Sequence, residues 1–228
     1  MAAASPLLAL LRTLKKFYGR PSSPKLKGAQ EIILWENCAY LAADDRRAAA
    51  FALLKKKVGA TPKQILDADP GLLLEVGRFG IVPYESAKKL RLIAEIAHYT
   101  FKDDVDSVLD LPLKQAKKEL HRFPSIGEPG AEKILLFTRR HKILALDSNG
   151  LRVLVRYGFG EEKKSYSASY RSAQAATAGQ LPASIDDLLA AHLLLRRHGQ
   201  EICRRNDPAC PTCPAAPDCR YAHSIRRG

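Results

Sequence analysis

Four cysteines close to the C-terminus, Cys203, Cys210, Cys213 and Cys219, follow the spacing C-x6-C-x2-C-x5-C. Four thiolates inside one short loop can meet on a single inorganic centre without help from distant parts of the chain. Structural zinc commonly uses two short Cys or His arms separated by a dozen or more residues. Here one C-x2-C pair has wider gaps on both sides, which favours an iron–sulfur centre and leaves zinc or disulfide pairing as alternatives. A second candidate is Asp147, which ends the apolar run Ile143 to Leu146 just before Ser148-Asn149-Gly150. A carboxylate there is a natural helix N-cap, a role compatible with a second, chemical one.

Upstream, Pro124-Ser125-Ile126-Gly127-Glu128-Pro129-Gly130 reads as a tight turn between two helices. Pro124 and Gly127 force the turn, and Ile126 can enter the core to pin it. The second helix then offers free N–H groups and a positive dipole end, a cradle for a phosphate. A helical hairpin that only packs has the same local pattern. In the largely apolar stretch 31–40, Glu36 is either a proton donor with a raised pKa or a solvent-facing carboxylate. Trp35 and Tyr40 either fill the core or stack on a planar ligand, and Cys38 reads as a small buried hydrophobe.

The elements that must position these groups are nearly all helices, because apolar residues recur at three and four spacing with few alternating runs. The predicted helices lie roughly at Pro6 to Tyr18, Ala29 to Ala42, Arg46 to Lys57, Pro62 to Ala68, Pro70 to Val76 and Tyr84 to Tyr99. Further ones lie at Val105 to Leu109, Leu113 to Arg122, Pro129 to Arg139, Ser148 to Tyr157, Ser167 to Ala176 and Ile185 to His198. Pro21 to Lys27 is a linker by composition, and 206–218 is a Pro-rich loop with too few apolar side chains to order itself.

The chain has 228 residues with 37 basic and 24 acidic side chains, a net charge of +13. That imbalance points to a polyanionic partner, and basic clusters at Lys55 to Lys57, Lys114 to Lys118, Arg139 to Lys142, Arg196 to His198 and Arg204 to Arg205 recur as a phosphate-tracking surface needs. No apolar run reaches the length of a membrane span, so a membrane partner is not expected. The N-terminal leucines are followed, not preceded, by basic residues, which is wrong for a secretory signal; an organellar transit peptide stays open because the first acid is Glu31. A reducing compartment, cytoplasmic or nucleoid, is the expected location, where cysteines favour metal over disulfides.

Hairpin, following aspartate and cysteine loop, in this order and at these separations, resemble the helix-hairpin-helix base-excision glycosylases of the endonuclease III and adenine DNA glycosylase kind. The resemblance covers about Ala29 to Tyr221, and His198-Gly199 ahead of the first loop cysteine also fits it. It implies an all-α, two-domain fold: a six-helix barrel domain at 29–141, with the helix-hairpin-helix at about 113–139, and an iron–sulfur cluster domain formed by 1–28 and 142–228. It further implies a 4Fe-4S cluster on Cys203, Cys210, Cys213 and Cys219 in the loop 203–219. Its partner would be double-stranded DNA with a damaged or mispaired base, bound by a monomer. DNA contacts would come from Pro124, Ser125, Ile126, Gly127 and Gly130 in the hairpin and from Arg204 and Arg205 in the loop. Asp147 and Glu36 would be catalytic, Glu36 because it falls near the glutamate of adenine glycosylases.

Two departures shape the expected activity. Bifunctional relatives carry a lysine on the first turn after the hairpin, where this sequence has Pro129, whose nitrogen cannot form a Schiff base. Lys133, one turn further on, is a poor substitute. A monofunctional glycosylase is therefore expected, with a lyase using another amine or a non-catalytic DNA-binding module as alternatives. The second departure is that no lesion-reading segment of the adenine-glycosylase type follows the cysteine loop before Gly228, so the target base stays open. Ser125 also stands where the first hairpin glycine is usual.

Overall fold

The computed structural model describes residues 5–39, 42–181 and 184–225. Among these residues all regular structure is helical. In chain order the first helices are α1 (Pro6–Tyr18), α2 (Gly28–Cys38), α3 (Asp44–Lys57), α4 (Pro62–Leu66), α5 (Pro70–Gly77) and α6 (Pro83–Phe101). After a 3-10 turn at Val105–Asp110 come α7 (Leu113–Leu120), α8 (Glu128–Phe137), α9 (Ser148–Tyr157), α10 (Tyr166–Thr177) and α11 (Ile185–Glu201). Two further 3-10 turns, Cys210–Thr212 and Ala216–Asp218, precede α12 (Arg220–Ile225). Tyr40 lies outside the described residues.

The helix starts follow from their caps. Ser5, Asp69, Ser165 and Ser184 each accept a first-turn N–H, and Thr61 with Gln64 forms a reciprocal capping box. Helix α3 opens on Asp44 and Asp45 and closes on Lys55, Lys56 and Lys57, matching the sign of the macrodipole at both ends. The same lysines do not all stand ready for a polyanion: Lys55 pairs with Glu31 at 2.7 Å and Lys57 with Glu75 at 2.7 Å. Helix α2 stops at Cys38, short of the expected Ala42, because Ala39 leaves the helical region at φ −142°, ψ 61°. The short α12 escaped the sequence reading because Ala222 is its one buried side chain, too little for a periodic signal.

By its internal contacts the chain forms two compact units: an internal one, Lys25–Arg140, and a terminal one that joins Met1–Pro24 to His141–Gly228. The internal unit closes over Ile33, Leu34, Leu54, Ile65, Leu90, Ile93, Leu120 and Ile134, all without exposed surface. In the terminal unit α1 lies on α11 with Leu7, Leu10 and Leu14 buried. Helices α9 and α11 approach so closely that a Cβ on Gly199 would sit 2.7 Å from the backbone and Cβ of Asn149, which accounts for glycine at that position. Among the described residues no helix is long and apolar enough to cross a membrane.

Candidate functional site

In the internal unit the hairpin is fastened from three sides. Phe123 and Ile126 are buried, and Phe123 stacks on Phe101 at 5.6 Å. The Lys117 ammonium on α7 bonds both Glu128 and Glu132 of α8, the latter at 3.0 Å. Burial opposes its charge, but the two carboxylates outweigh burial and hold its pKa above the ordinary lysine value. Asn37, which as a sequence looks like an interruption of an apolar helix, is fully buried; its amide donates at 3.0 Å to the Pro124 carbonyl and at 3.0 Å to that of Ile33. It ties the turn to α2.

At the tip, Ser125 adopts φ 62°, a left-handed conformation that costs a non-glycine residue about 1–2 kcal/mol. Its Oγ accepts a hydrogen bond from Lys89 Nζ at 3.0 Å. Gly127 is the N-cap of α8, and no side chain caps the first turn. Gly127 has φ −92°, and a Cβ there would meet nothing within 4 Å, so neither backbone strain nor the chain's own atoms demand glycine. What the bare position provides is open access to uncapped amides. Gly130 packs under Ile126, 3.4 Å from its Cγ2 by the same measure, and Pro129 occupies the first turn.

Glu36 is neither solvent-facing nor alone. Its Oε1 accepts from Lys133 Nζ at 2.5 Å and lies 3.7 Å from Arg47 Nη1, which links α2 to α8 and α3. Trp35 packs edge-to-face on Phe51 at 5.7 Å and keeps part of its surface exposed. A feature missed in the sequence lies between α5 and α6: Ile81, Val82 and Tyr84 are 65%, 55% and 70% exposed on one turn. Its signal, two β-branched residues between Gly80 and Pro83, reads as an ordinary loop because it has no periodicity.

In the terminal unit Asp147 caps α9. Oδ1 accepts the Gly150 N–H at 2.8 Å, and Oδ2 accepts from Asn149 Nδ2 at 3.3 Å and from Arg196 Nε at 2.9 Å. Burial pushes this carboxyl up, but His192, Arg196 and the two hydrogen bonds outweigh it, and the pKa falls below the ordinary aspartate value. His192 is buried, and its Nδ1–H donates to the Ala145 carbonyl at 2.8 Å. Neither His192 nor Arg196 was singled out in the sequence for Asp147; their four-residue spacing on α11, which gives both one face, is the signal that could have found them.

The cysteine loop hangs from arginines of α9. Arg152 Nε donates to the Cys203 carbonyl at 2.9 Å and its Nη2 to Gly199 O at 2.7 Å; Arg156 donates to the carbonyls of Arg204 and Arg205 at 2.6 and 3.0 Å. Arg156 Nη1 also lies 3.6 Å from Cys203 Sγ. Burial lowers the His198 pKa to about 4, so the ring is neutral at pH 7. The Tyr18 hydroxyl lies 3.0 Å from its Nδ1, and Cys213 Sγ lies 3.5 Å from its Nε2. Arg204 folds back onto the Asp207 carbonyl at 2.9 Å, whereas the Arg205 side chain is exposed and makes no bond among the described residues. A groove of about 660 Å³ runs beside the loop, lined by Arg152, Arg156, Lys164, Tyr166, Arg204 and Arg205 among others.

The four cysteines form no disulfide among the described residues and line one pocket, walled by Leu10, Val153, Ile202 and Ala222. Burial and the three neighbouring thiols raise the Cys213 pKa. Among the described residues no three His, Cys, Asp or Glu side chains are grouped as around a single metal ion. Four sulfurs around a shared apolar-walled pocket, with the Arg156 guanidinium donating toward Cys203 and the His198 ring beside Cys213, fit a cluster that spreads its ligands over several corners.

No protein-family profile matches the chain. It is 26% identical over 175 residues to endonuclease III of Sulfolobus acidocaldarius, covering 75% of this chain and 73% of that protein. Its fold matches a trapped endonuclease III–DNA covalent intermediate with a TM-score of 0.76 at 17% identity, over 95% of each chain. A thermostable thymine-DNA glycosylase matches with a TM-score of 0.74 at 16% identity, over 96% of this chain and 97% of the other.

Proposed function

We propose that this chain, which has the all-α fold of the endonuclease III-type helix-hairpin-helix superfamily, is a DNA glycosylase of base excision repair that hydrolyses its target bond without cutting the strand. The observation that carries the reading is Asp147: a largely buried carboxylate, held ionised at a helix start within this fold. The hairpin amides of Gly127, Glu128 and Gly130 take a DNA phosphate, and Arg205 takes another. The exposed Ile81 and Val82 suit insertion between base steps, which opens the stack for the target base to leave. Departure of the base leaves positive charge on the sugar, and Asp147 stabilises that charge or orients the attacking water.

Two features support hydrolysis over lyase chemistry. Pro129 has no amine to offer. The Lys133 amine is bound to Glu36, and an ammonium held in an ion pair is not a nucleophile. Glu36 can serve as general acid in this reading only once that pair opens. Cys203, Cys210, Cys213 and Cys219 hold a 4Fe-4S cluster, which when bound supplies a rigid brace for the loop that presents Arg205.

The test is a panel of duplexes, each with one damaged or mispaired base, incubated with the protein and then treated with alkali. One lesion is expected to give strand breaks that depend on alkali, with no borohydride-trapped adduct. Asp147→Asn, which keeps the cap, is expected to bind DNA as before and to release base about 100-fold more slowly. Breaks without alkali, together with trapping, would overturn the monofunctional reading; full activity of Asp147→Asn would remove the role given to that residue.

A further inference from the structure

Arg196 belongs by sequence to the basic cluster Arg196 to His198, yet only 18% of its side chain is exposed and its Nε lies 2.9 Å from Asp147 Oδ2. Three successive turns of α11 meet the start of α9 and the residues that lead into it. His192 donates to the Ala145 carbonyl, Arg196 reaches Asp147, and Gly199 lets the two helices close at Asn149. The spacing 192, 196, 199 puts all three on one helical face. Gly150 adds a further contact, since a Cβ there would lie 3.4 Å from Leu195 Cβ and 3.5 Å from Asp147 Oδ1. Helix α11 therefore stands against the very turn that Asp147 caps.

Capping explains only one of the two carboxylate oxygens. Oδ1 accepts the Gly150 N–H at 2.8 Å, which is all that a helix cap requires. Oδ2 takes a longer bond from Asn149, at 3.3 Å, and the shorter one from Arg196. A guanidinium brought in from another helix to the second oxygen goes beyond the needs of the cap. The ionisable groups that face the carboxylate are Arg152 on α9, His192 and Arg196 on α11, and Tyr166 on α10. Burial, and after it the Asp147 charge, push the Tyr166 hydroxyl up to about 12, so it stays neutral through the ordinary assay range.

We propose that Arg196 is a positioning residue for base release: through its bond to Oδ2 it fixes the orientation of the Asp147 carboxylate and keeps it an anion inside a mostly buried site. The proposal rests on the glycosylase reading above. It turns a residue that looks like part of the DNA-facing charge into a support for the catalytic group. The sign follows from the balance at Asp147, where burial favours the neutral acid while His192, Arg196 and the hydrogen bonds favour the anion. With Arg196 gone, burial is less opposed, the carboxyl pKa rises, and activity is lost at a higher pH on going to acid.

The experiment uses the full chain and measures base release in a single turnover between about pH 5 and about pH 8 for wild type, Arg196→Gln and Arg196→Lys. In parallel the carboxyl NMR resonance of Asp147, identified by its absence in Asp147→Asn, is titrated without DNA. Relative to wild type, Arg196→Gln is expected to lose about threefold to tenfold more activity at the acid end than at the alkaline end, and its carboxyl to titrate at higher pH. Arg196→Lys restores the charge and is expected to bring both readouts back toward wild type. A merely structural role would lower base release equally at every pH and leave the titration where it is, and that result overturns the proposal. So does a wild-type Asp147 that titrates at or above the ordinary aspartate range, which needs no variant to fold. A wild type that releases no base from any lesion overturns instead the glycosylase reading, while the titration still tests the Arg196 pair.

Discussion

In the hairpin, the turn between α7 and α8 buries Phe123 and Ile126, is tied to α2 by Asn37, and is clamped by Lys117 across its two helices. In the cysteine loop, residues 203–219, only Ala215 and Ala216 are buried, and the chain is held by its own tight turns and by two arginines from α9. Both segments carry groups that suit phosphate, yet one is ordered by packing and the other lacks the apolar area for that. A loop of this kind recovers its ordering entropy from outside the side-chain core, and under the proposed function a metal cluster supplies it.

The contrast is broken most severely at the cysteines. Cys210→Ser or Cys213→Ser is expected to abolish the yellow-brown colour and iron content and to open 204–218 to protease, while the internal unit stays resistant. If the variant loop resists protease as well as wild type does, it does not depend on a cluster. A packing defect should have the opposite pattern. Ile134→Ala, at a position with no exposed surface, is expected to lower unfolding stability by about 2–5 kcal/mol in denaturant titrations, while iron per folded chain stays constant. Loss of iron in step with stability would show the two segments to be one cooperative structure.

Smaller effects sharpen the comparison. Arg205→Ala is expected to lower the salt slope of DNA binding by about one contact, and Arg204→Ala by less, because Arg204 is spent on Asp207. Equal losses would mean that Arg204 leaves Asp207 when DNA binds. The mildest effect is in alkali. Lys117 has a folded pKa above its ordinary 10.5, so its stabilisation of the hairpin is present below pH 10.5 and is lost as pH rises through the folded value. Wild type should therefore lose more stability in that window than Lys117→Met. Parallel pH profiles would assign the clamp no net effect.

The sequence exposed the hairpin and the cysteines for different reasons. Pro124, Ile126 and Gly127 announce a turn through backbone chemistry, and the cysteines through spacing alone, so both are readable without knowing what surrounds them. Helix positions were legible wherever one face carried leucines, as in α1 and α11. Partners across space were not: nothing in the order of residues says that Lys133 reaches Glu36 or that Asn37 holds Pro124. Glu36 was read as acid or solvated surface because its neighbours on α2 are apolar, and the ion pair that decides its state comes from α8, ninety-seven positions away. The exposed Ile81 and Val82 were invisible for the converse reason, since apolar residues in a short loop look the same whether buried or bare.

Pro129 has a consequence beyond the bench. Every proline codon begins with two cytosines and every lysine codon with two adenines, so no single base change puts an amine at position 129. The intermediates in two steps are threonine or glutamine, neither a Schiff-base former, and each gives up the fixed φ with which proline holds that first turn. Under the proposed function, a lineage carrying this residue must cross an inert stage before it can acquire a lysine nucleophile at 129, and its abasic products stay committed to whichever enzyme comes next.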